Sequence, residues 1–207
     1  MTSLITCYYN SWDALMWQKE NLLKSDLDII IVDDCSPSPL KIDWVNVFRI
    51  KEDVFFNLDA VNLGAVKAKG EKIFRFDLDH RADYKAMDQI EIPEKTIFHF
   101  NRTMNGKKIK PNPSHVLLRK EDFISIGGWN TIYSGNYGMC DNDFVRRAKS
   151  MGYSFEIAPI LLEVDPSFST KGIERDTTIN RSIYLSEPDC NTNWEIDHEI
   201  INIVNKK

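Results

Sequence analysis

The sequence predicts an α/β protein: a mixed, mainly parallel central sheet flanked by helices. Three observations predict it. Between Ser3 and Asp77, short apolar runs alternate with amphipathic stretches, the order that βα units produce. The runs are continuous rather than alternating, as in Ile29-Ile30-Ile31-Val32, which is how strands covered on both faces read. Acidic or aromatic residues close several of them: Tyr9, Asp33-Asp34, Asp77 and Asp79.

In order, Ser3 to Tyr9 reads as a buried strand, and Ser11 is placed to cap the next helix. Ala14, Leu15, Trp17, Leu22 and Leu23 make that helix amphipathic to about Ser25. Asp28 to Asp33 is the second strand, and Cys35-Ser36-Pro37-Ser38-Pro39 breaks the chain. Trp44 to Ile50 is a third strand. Asp59 to Lys69 is a helix with Gly70 at its C-cap, and Lys72 to Asp77 is the next strand. Thr96 to Arg102 and Ser114 to Arg119 read as strands, with Pro111-Asn112-Pro113 as a loop before the latter. Glu121 to Ile126 is a short helix stopped by Gly127-Gly128. Trp129 to Met139 reads as loop. Phe144, Ala148 and Met151 put a helix over Asp141 to Met151, and Tyr153 to Ile157 is a strand ending before Pro159. Lys171 to Ser186 and Trp194 to Val204 read as helices.

The chain has 207 residues, 43% hydrophobic and 28% charged, which suits one domain with a full core. That domain divides into a half over residues 1–80, a half over 81–160 and a helical tail over 161–207. Net charge is −5 and pI about 5.4, so nothing favours nucleic acid. Cys7, Cys35, Cys140 and Cys190 lack zinc-finger spacing, which suggests reduced thiols and a cytoplasmic protein. Met1-Thr2-Ser3-Leu4-Ile5 does not open a signal peptide, and no run approaches the ~20 apolar residues of a membrane helix.

Ligands of parallel sheets sit beyond the carboxyl ends of the strands, where Tyr9, Asp33, Asp34, Asp77 and Asp79 are all predicted to lie. In a strand, residues two apart share a face, so Asp77 and Asp79 should point the same way. Two hard oxygen ligands there can hold Mg²⁺ or Mn²⁺ against a diphosphate.

Four stretches together carry a family resemblance: Leu4 to Asn10, Ile30 to Ser36, Asn62-Leu63-Gly64 through Asp77-Leu78-Asp79, and Gly127-Gly128-Trp129-Asn130 through Asp141, Asp143 and Arg147. In this order the chain resembles GT-A-fold nucleotide-sugar glycosyltransferases, of the family-2 type and their galactosyltransferase-like relatives. The resemblance runs from residue 3 to about 155. It implies a metal-dependent, inverting transfer of a sugar from a nucleotide-sugar donor, a UDP-sugar above others, to a hydroxyl acceptor.

By that resemblance Tyr9, Asp33, Asp34 and Asn62 hold the nucleotide, with Asp77 shared between nucleotide and metal. A carboxylate is an acceptor suited to a pyrimidine N–H, and an aromatic ring covers a base. Asp77 and Asp79 bind Mn²⁺ or Mg²⁺, with His80 an extra ligand or a loop residue. A late third ligand is left open among Glu163, Asp165 and His198. Asp141 is the general base, an ionised N-cap at a helix start, with Asp143 in reserve. Trp129 and Tyr137, with Tyr133, form an acceptor site in a Gly-rich loop. Two departures stand out: Cys140 replaces a glutamate and Val61 an arginine. They fit the alternative of a degenerate sugar- or partner-binding module. A haloacid-dehalogenase-like phosphatase is a remote alternative, since Arg81 stands where its motif has Thr. A nucleotidyltransferase would need a Gly-rich first loop, and Tyr8 to Ser11 lacks one. The acceptor, glycan, lipid-linked or protein, is left open. A partner or self-association would replace the acceptor domain that many relatives carry.

Overall fold

Strand β1 (Thr2–Tyr8) is buried almost throughout on both faces, its hydroxyl residues Thr2, Ser3 and Thr6 included. That burial puts it in the middle of the sheet. The computed structural model describes residues 1–168 and 175–204. After β1 come α1 (Trp12–Ser25), β2 (Asp28–Asp33), β3 (Asn46–Ile50), α2 (Asp59–Lys67) and β4 (Lys72–Arg75). Strands β3, β2, β1 and β4 pair in that order, all parallel. The register sets Tyr8 beside Asp33, so the polar ends of β1 and β2 reach the same edge. The doubly covered strands of the sequence reading are therefore real.

The second half adds β5 (His80–Arg81), α3 (Tyr84–Asp88), β6 (Thr96–Met104), β7 (Lys107–Ile109) and β8 (Val116–Arg119). It continues with α4 (Lys120–Ile126), α5 (Cys140–Ser150), β9 (Ser154–Val164), α6 (Thr178–Leu185) and β10 (His198–Asn202). The described strands form one sheet in the order β10-β3-β2-β1-β4-β8-β6-β9-β5, with β7 paired to β6. Strand β8 is antiparallel to β4 and β6, so β6 runs with β4 toward the same edge.

Two cores cover the two faces. Leu4, Leu15, Ile31, Phe74, Phe76 and Phe100 pack on one. Ile5, Val32, Leu118, Phe123, Trp129 and Phe144 pack on the other. Gly64 shows how tightly α2 lies on the sheet: a Cβ there would sit 2.3 Å from Ile5 Cγ2. The Asn-x-Gly of the sequence is thus a packing requirement at this glycine. Gly64→Ala is expected to cost about 1–3 kcal/mol of stability from overpacking. A denaturation midpoint equal to the parent's would overturn this account.

Several elements depart from the sequence reading. Strand β4 stops at Arg75, and the N–H of His80 donates to the carbonyl of Asp77 at 3.0 Å. Asp77-Leu78-Asp79 is therefore a turn, and the shared-face argument does not apply to it. Helix α2 ends at Lys67 with Ala68 as C-cap. Gly70 serves instead where a Cβ would meet the Met1 carbonyl at 2.6 Å. Strand β6 runs on to Met104 and turns back through Asn105 (φ 51°) and Gly106 (φ 72°), the conformation that favours Asn-Gly in two-residue hairpins.

Strand β9 passes through Pro159 instead of ending before it. Its pairing with β6 shifts register between His99 and Asn101, and a proline's missing N–H is tolerated at such an irregularity. The expected helix over Trp194 to Val204 is not formed. Strand β10 lies there, antiparallel on the open edge of β3, and Ile201 packs against the core. Of the helix expected over Lys171 to Ser186, residues 171–174 lie outside the described residues and Thr178–Leu185 is helical. Among the described residues, no helix is long and apolar enough to cross a membrane.

Candidate active site

The carboxyl edge of β1, β2 and β4 carries a set of polar groups, and the turn after β4 is their centre. Gln18 of α1, fully buried, holds that turn: its side-chain amide donates to the carbonyls of Leu78 and His80 and accepts from Tyr84 Oη. The turn in this way presents Asp77 and buries His80, which is 3% exposed. Just ahead of β8, His115 comes in from the neighbouring strand. The ligand-capable atoms of Asp77, His80 and His115 all lie within 4.8 Å of one another, and the two imidazole rings are 3.9 Å apart.

Each member of this triad has a defined setting. His115 Nε2 is 3.3 Å from Asp77 Oδ2, yet both ring nitrogens of His115 are buried without an aligned hydrogen bond. Burial pushes its imidazole down to about 4, more than Asp77 raises it, with His80 and Arg75 adding to the fall. It is neutral near pH 7, the form that coordinates metals. Burial opposes the charge of Asp77, but Arg75 at 2.9 Å, with His115 and His80, holds its carboxyl well below the usual range. Ser114 Oγ adds a long hydrogen bond at 3.4 Å. His80 Nδ1 is 2.6 Å from Asp79 Oδ1, and its Nε2 is 3.1 Å from a guanidinium nitrogen of Arg102.

One carboxylate and two imidazoles, of which His115 has unpartnered ring nitrogens while those of His80 face Asp79 and Arg102, suit a divalent transition ion such as Mn²⁺ better than Mg²⁺, which prefers oxygen ligands. The sequence reading paired Asp79 with Asp77 as ligands. Asp79 does not join the converging group and faces His80 instead, as a carboxylate that orients a ligating histidine does. His80 is a buried member of the group and not an exposed loop residue. His115 and Arg75 were missed; a strand pairing brings His115 to the turn, so no spacing rule links it there, whereas Arg75 lies two residues before Asp77 and had a local signal. The late residues do not reach the group. His198 hydrogen-bonds the Ile196 carbonyl on β10, Glu163 pairs opposite Arg81, and the Asp165 carboxylate is held by Ser167.

The expected nucleotide residues separate into two kinds. Tyr9 is 53% exposed at the end of β1, free to cover a base. Asp34 keeps one buried carboxylate oxygen without a partner. Its other oxygen accepts from the Asn57 N–H at 3.3 Å. Burial raises its carboxyl to about 7, against the Asn57 hydrogen bond and helped by Asp33, Asp53 and Asp59. Asp33, by contrast, is fully buried. It accepts from the backbone of Ser36 and Leu40, each at 2.8 Å, and pairs with Arg49 at 2.9 Å. It builds the turn after β2 and has no oxygen left for a ligand. Asn62 is fully buried as well, tied through both ends of its amide to the backbone of Trp129 at 2.8 and 2.9 Å. It joins α2 to the second half instead of contacting a nucleotide.

The acceptor and base assignments change too. Trp129 is 1% exposed and stacks on Phe144 at 4.4 Å, so it cannot stack on a sugar. Its Nε1–H donates to Asp141 Oδ1 at 3.0 Å, which makes it an orienter of that carboxylate. Met139 (φ 66°), and not Asp141, is the N-cap of α5; Asp141 sits in the first turn. Burial pushes its carboxyl up, against Arg75 and the Trp129 hydrogen bond, with Asp77 adding to the rise. Asp141 is therefore more basic than the ionised cap expected from the sequence. Asp143 is buried and paired with Arg146 and Arg147, both at 2.7 Å, and Tyr133 donates to it. The reserve base is thus a structural ion pair. Tyr137 is half-buried against Phe56, with ring centroids 5.7 Å apart.

No family model matches the chain. In sequence it is 21% identical over 183 residues to the tRNA modification GTPase MnmE of Rhizobium etli, covering 83% of this chain and 40% of that protein. The chain has no Gly-x-x-x-x-Gly-Lys-Ser/Thr loop, the phosphate cradle of P-loop GTPases. In structure it is similar to S. aureus TarS in complex with UDP-GlcNAc, with TM-score 0.64 and 13% identity over 86% of this chain and 60% of that one. It is also similar to GalNAc-T7 with UDP, GalNAc and Mn²⁺, with TM-score 0.61 and 14% identity over 79% of this chain and 43% of that one. A Drosophila β1,4-galactosyltransferase 7 mutant with manganese, UDP-Gal and xylobiose aligns at TM-score 0.53 and 13% identity, over 86% of this chain and 67% of that one. The chain spans about three fifths of the TarS chain. With the strand order, the acid-lined carboxyl edge and these neighbours together, the chain has the GT-A glycosyltransferase fold.

Proposed function

We propose that the protein transfers a sugar from a nucleotide-sugar donor, a UDP-sugar, to a hydroxyl acceptor with a divalent ion, Mn²⁺ above Mg²⁺. One observation carries the reading. The exposed Tyr9 ring next to Asp34 with its unpartnered oxygen, a metal-capable cluster at Asp77 and a half-buried, raised carboxylate at Asp141 share one edge of a GT-A sheet. Tyr9 covers the base, and the free Asp34 oxygen accepts its N–H. Asp77 and His115 would hold the ion, with His80 beside them as a further ligand once one of its nitrogens, which face Asp79 and Arg102 here, is released. When bound, the ion neutralises diphosphate charge as a Lewis acid. Arg75, buried and paired with Asp77 at 2.9 Å, holds that carboxylate and adds positive charge that favours the ionised form of Asp141. Asp141 takes the proton of the acceptor hydroxyl as that oxygen attacks the anomeric carbon. The single displacement, with inversion, rests on the family resemblance and on a base separate from the triad. The Cys140 departure leaves Asp141 as the carboxylate at the start of α5 that is not locked in an ion pair.

The test is release of nucleoside diphosphate from a panel of UDP-, GDP-, TDP- and CMP-sugars with Mn²⁺ and with chelator, with and without added glycan acceptors. Metal-dependent release from a UDP-sugar is expected. Binding without release under every condition would favour the degenerate binding module. No binding to any donor would end the reading.

Asp34 also sets a pH dependence. Its carboxyl lies near 7, so it is mostly protonated below that pH and accepts poorly. Uridine affinity, which needs no metal, is expected to fall on acidification below pH 7, by up to about tenfold per pH unit. Asp34→Asn should bind weakly with a flat profile. A flat profile in the parent protein would remove Asp34 from the base site.

A further inference from the structure

We infer that the β6–β7 hairpin is a docking surface for an acidic glycan acceptor, one whose repeating units carry carboxylates or phosphates. The inference rests on the glycosyl-transfer reading above and names the class of its acceptor. Between Lys95 and Lys120 the chain holds seven Lys and Arg and no Asp or Glu. The protein as a whole is −5, so the remaining residues carry −12. Four of the seven cations, Arg102, Lys107, Lys108 and Lys110, lie on the hairpin or one residue past it.

The fold puts this charge at the site. Strand β6 runs toward the same edge as β4, so the hairpin projects from the edge that holds the triad. Arg102 anchors it there. Two of its nitrogens donate to the Lys110 carbonyl at 2.8 and 2.6 Å, and a third is 3.1 Å from His80 Nε2. Lys107, Lys108 and Lys110 are exposed, and among the described residues no carboxylate pairs with them. Glu163 pairs with Thr103 from β9, and the carboxylates that act on Arg102, Asp79 and Asp77, are already against His80 and Arg75.

The arrangement selects among polyanions. Cross-strand pairs set Lys107 beside Met104 and Lys108 beside Thr103. Alternation then puts Lys107 on one face of the ribbon and Lys108 and Lys110 on the other. A planar membrane meets one face, and interfacial binding needs bulky apolar residues on it; Met104 and Ile109 are half-buried. Single-stranded nucleic acid needs aromatic platforms, and residues 101–113 contain no aromatic. A linear acidic glycan crossing the ribbon meets lysines on both faces and needs neither. Lysine serves as a point charge for carboxylate or phosphate.

The test compares the parent chain with a Lys107→Ala/Lys108→Ala/Lys110→Ala variant, whose changes are all exposed and outside the donor site. Binding is measured to polygalacturonate, neutral dextran, phosphatidylserine-rich vesicles and single-stranded DNA, at low and high salt. UDP-sugar binding is measured in parallel. The parent should bind polygalacturonate, lose that binding at high salt and ignore dextran. The variant should bind about ten- to hundredfold more weakly with its UDP-sugar affinity unchanged. Equal polygalacturonate affinity in the two proteins, or none in the parent, overturns the inference. Hairpin-dependent binding to vesicles or DNA as tight as to polygalacturonate overturns the glycan assignment. Loss of UDP-sugar binding in both proteins counts against the donor reading, and the hairpin result remains separately legible.

Discussion

With Mn²⁺ present, His115→Gln is expected to bind a UDP-sugar about 100-fold or more weakly than the parent, and with chelator the two should bind alike. The size follows from the loss of a ligand, since even outer partners of metal ligands cost about 10–100-fold. His115 is fully buried, so alanine would also open a cavity; glutamine keeps a polar tip and most of the volume. Mn²⁺ affinity by calorimetry gives a second readout that requires no turnover. Asp79→Asn should show an intermediate loss, because Asp79 acts through His80 Nδ1 at 2.6 Å. Full Mn²⁺-dependent affinity in His115→Gln would return the ligand role to Asp77 and Asp79.

The second large effect is on rate. Asp141→Asn should lower the transfer rate by about 10²–10⁴-fold and leave donor affinity close to the parent's. The parent's rate should climb with pH as Asp141 ionises, along a limb above the ordinary carboxylate range because burial raises this group. Trp129→Phe keeps the stack on Phe144 and removes the Nε1–H donor. That hydrogen bond favours the carboxylate, so its loss should move the limb to still higher pH. A limb unmoved in Trp129→Phe, together with an unchanged rate in Asp141→Asn, would take the base role away from Asp141.

The sheet was legible because β1, β2 and β4 carry their instruction locally: a run apolar on both faces suits only a strand covered on both sides, and Gly and Pro punctuate the connecting segments. The places of Asp34 and Tyr9 at the sheet edge were legible for the same reason, since a strand's end fixes where the next residues emerge. Asp33 and Asn62 looked like ligands because polar residues at such an edge are the right type for binding. Their hydrogen bonds are spent inside, on Ser36, Leu40 and Arg49 for one and on Trp129 for the other. The Asn105-Gly106 hairpin had a local signal, the paired turn residues.

By itself, then, the sequence determined the βα alternation, the acid-lined edge and the residue types available for a diphosphate, an ion and a base. Only the tertiary structure decided which of them meet. The antiparallel pairing of β8 with β4 brings His115 beside Asp77, although they lie 38 positions apart in the chain. Burial turned Asp141 into a stronger base, and the open edge of β3 drew residues 198–202 into a strand where the local pattern read as helix. The physical reason is common to all three. Strand pairing, desolvation and edge completion depend on groups distant in the chain, and local pattern carries no record of them.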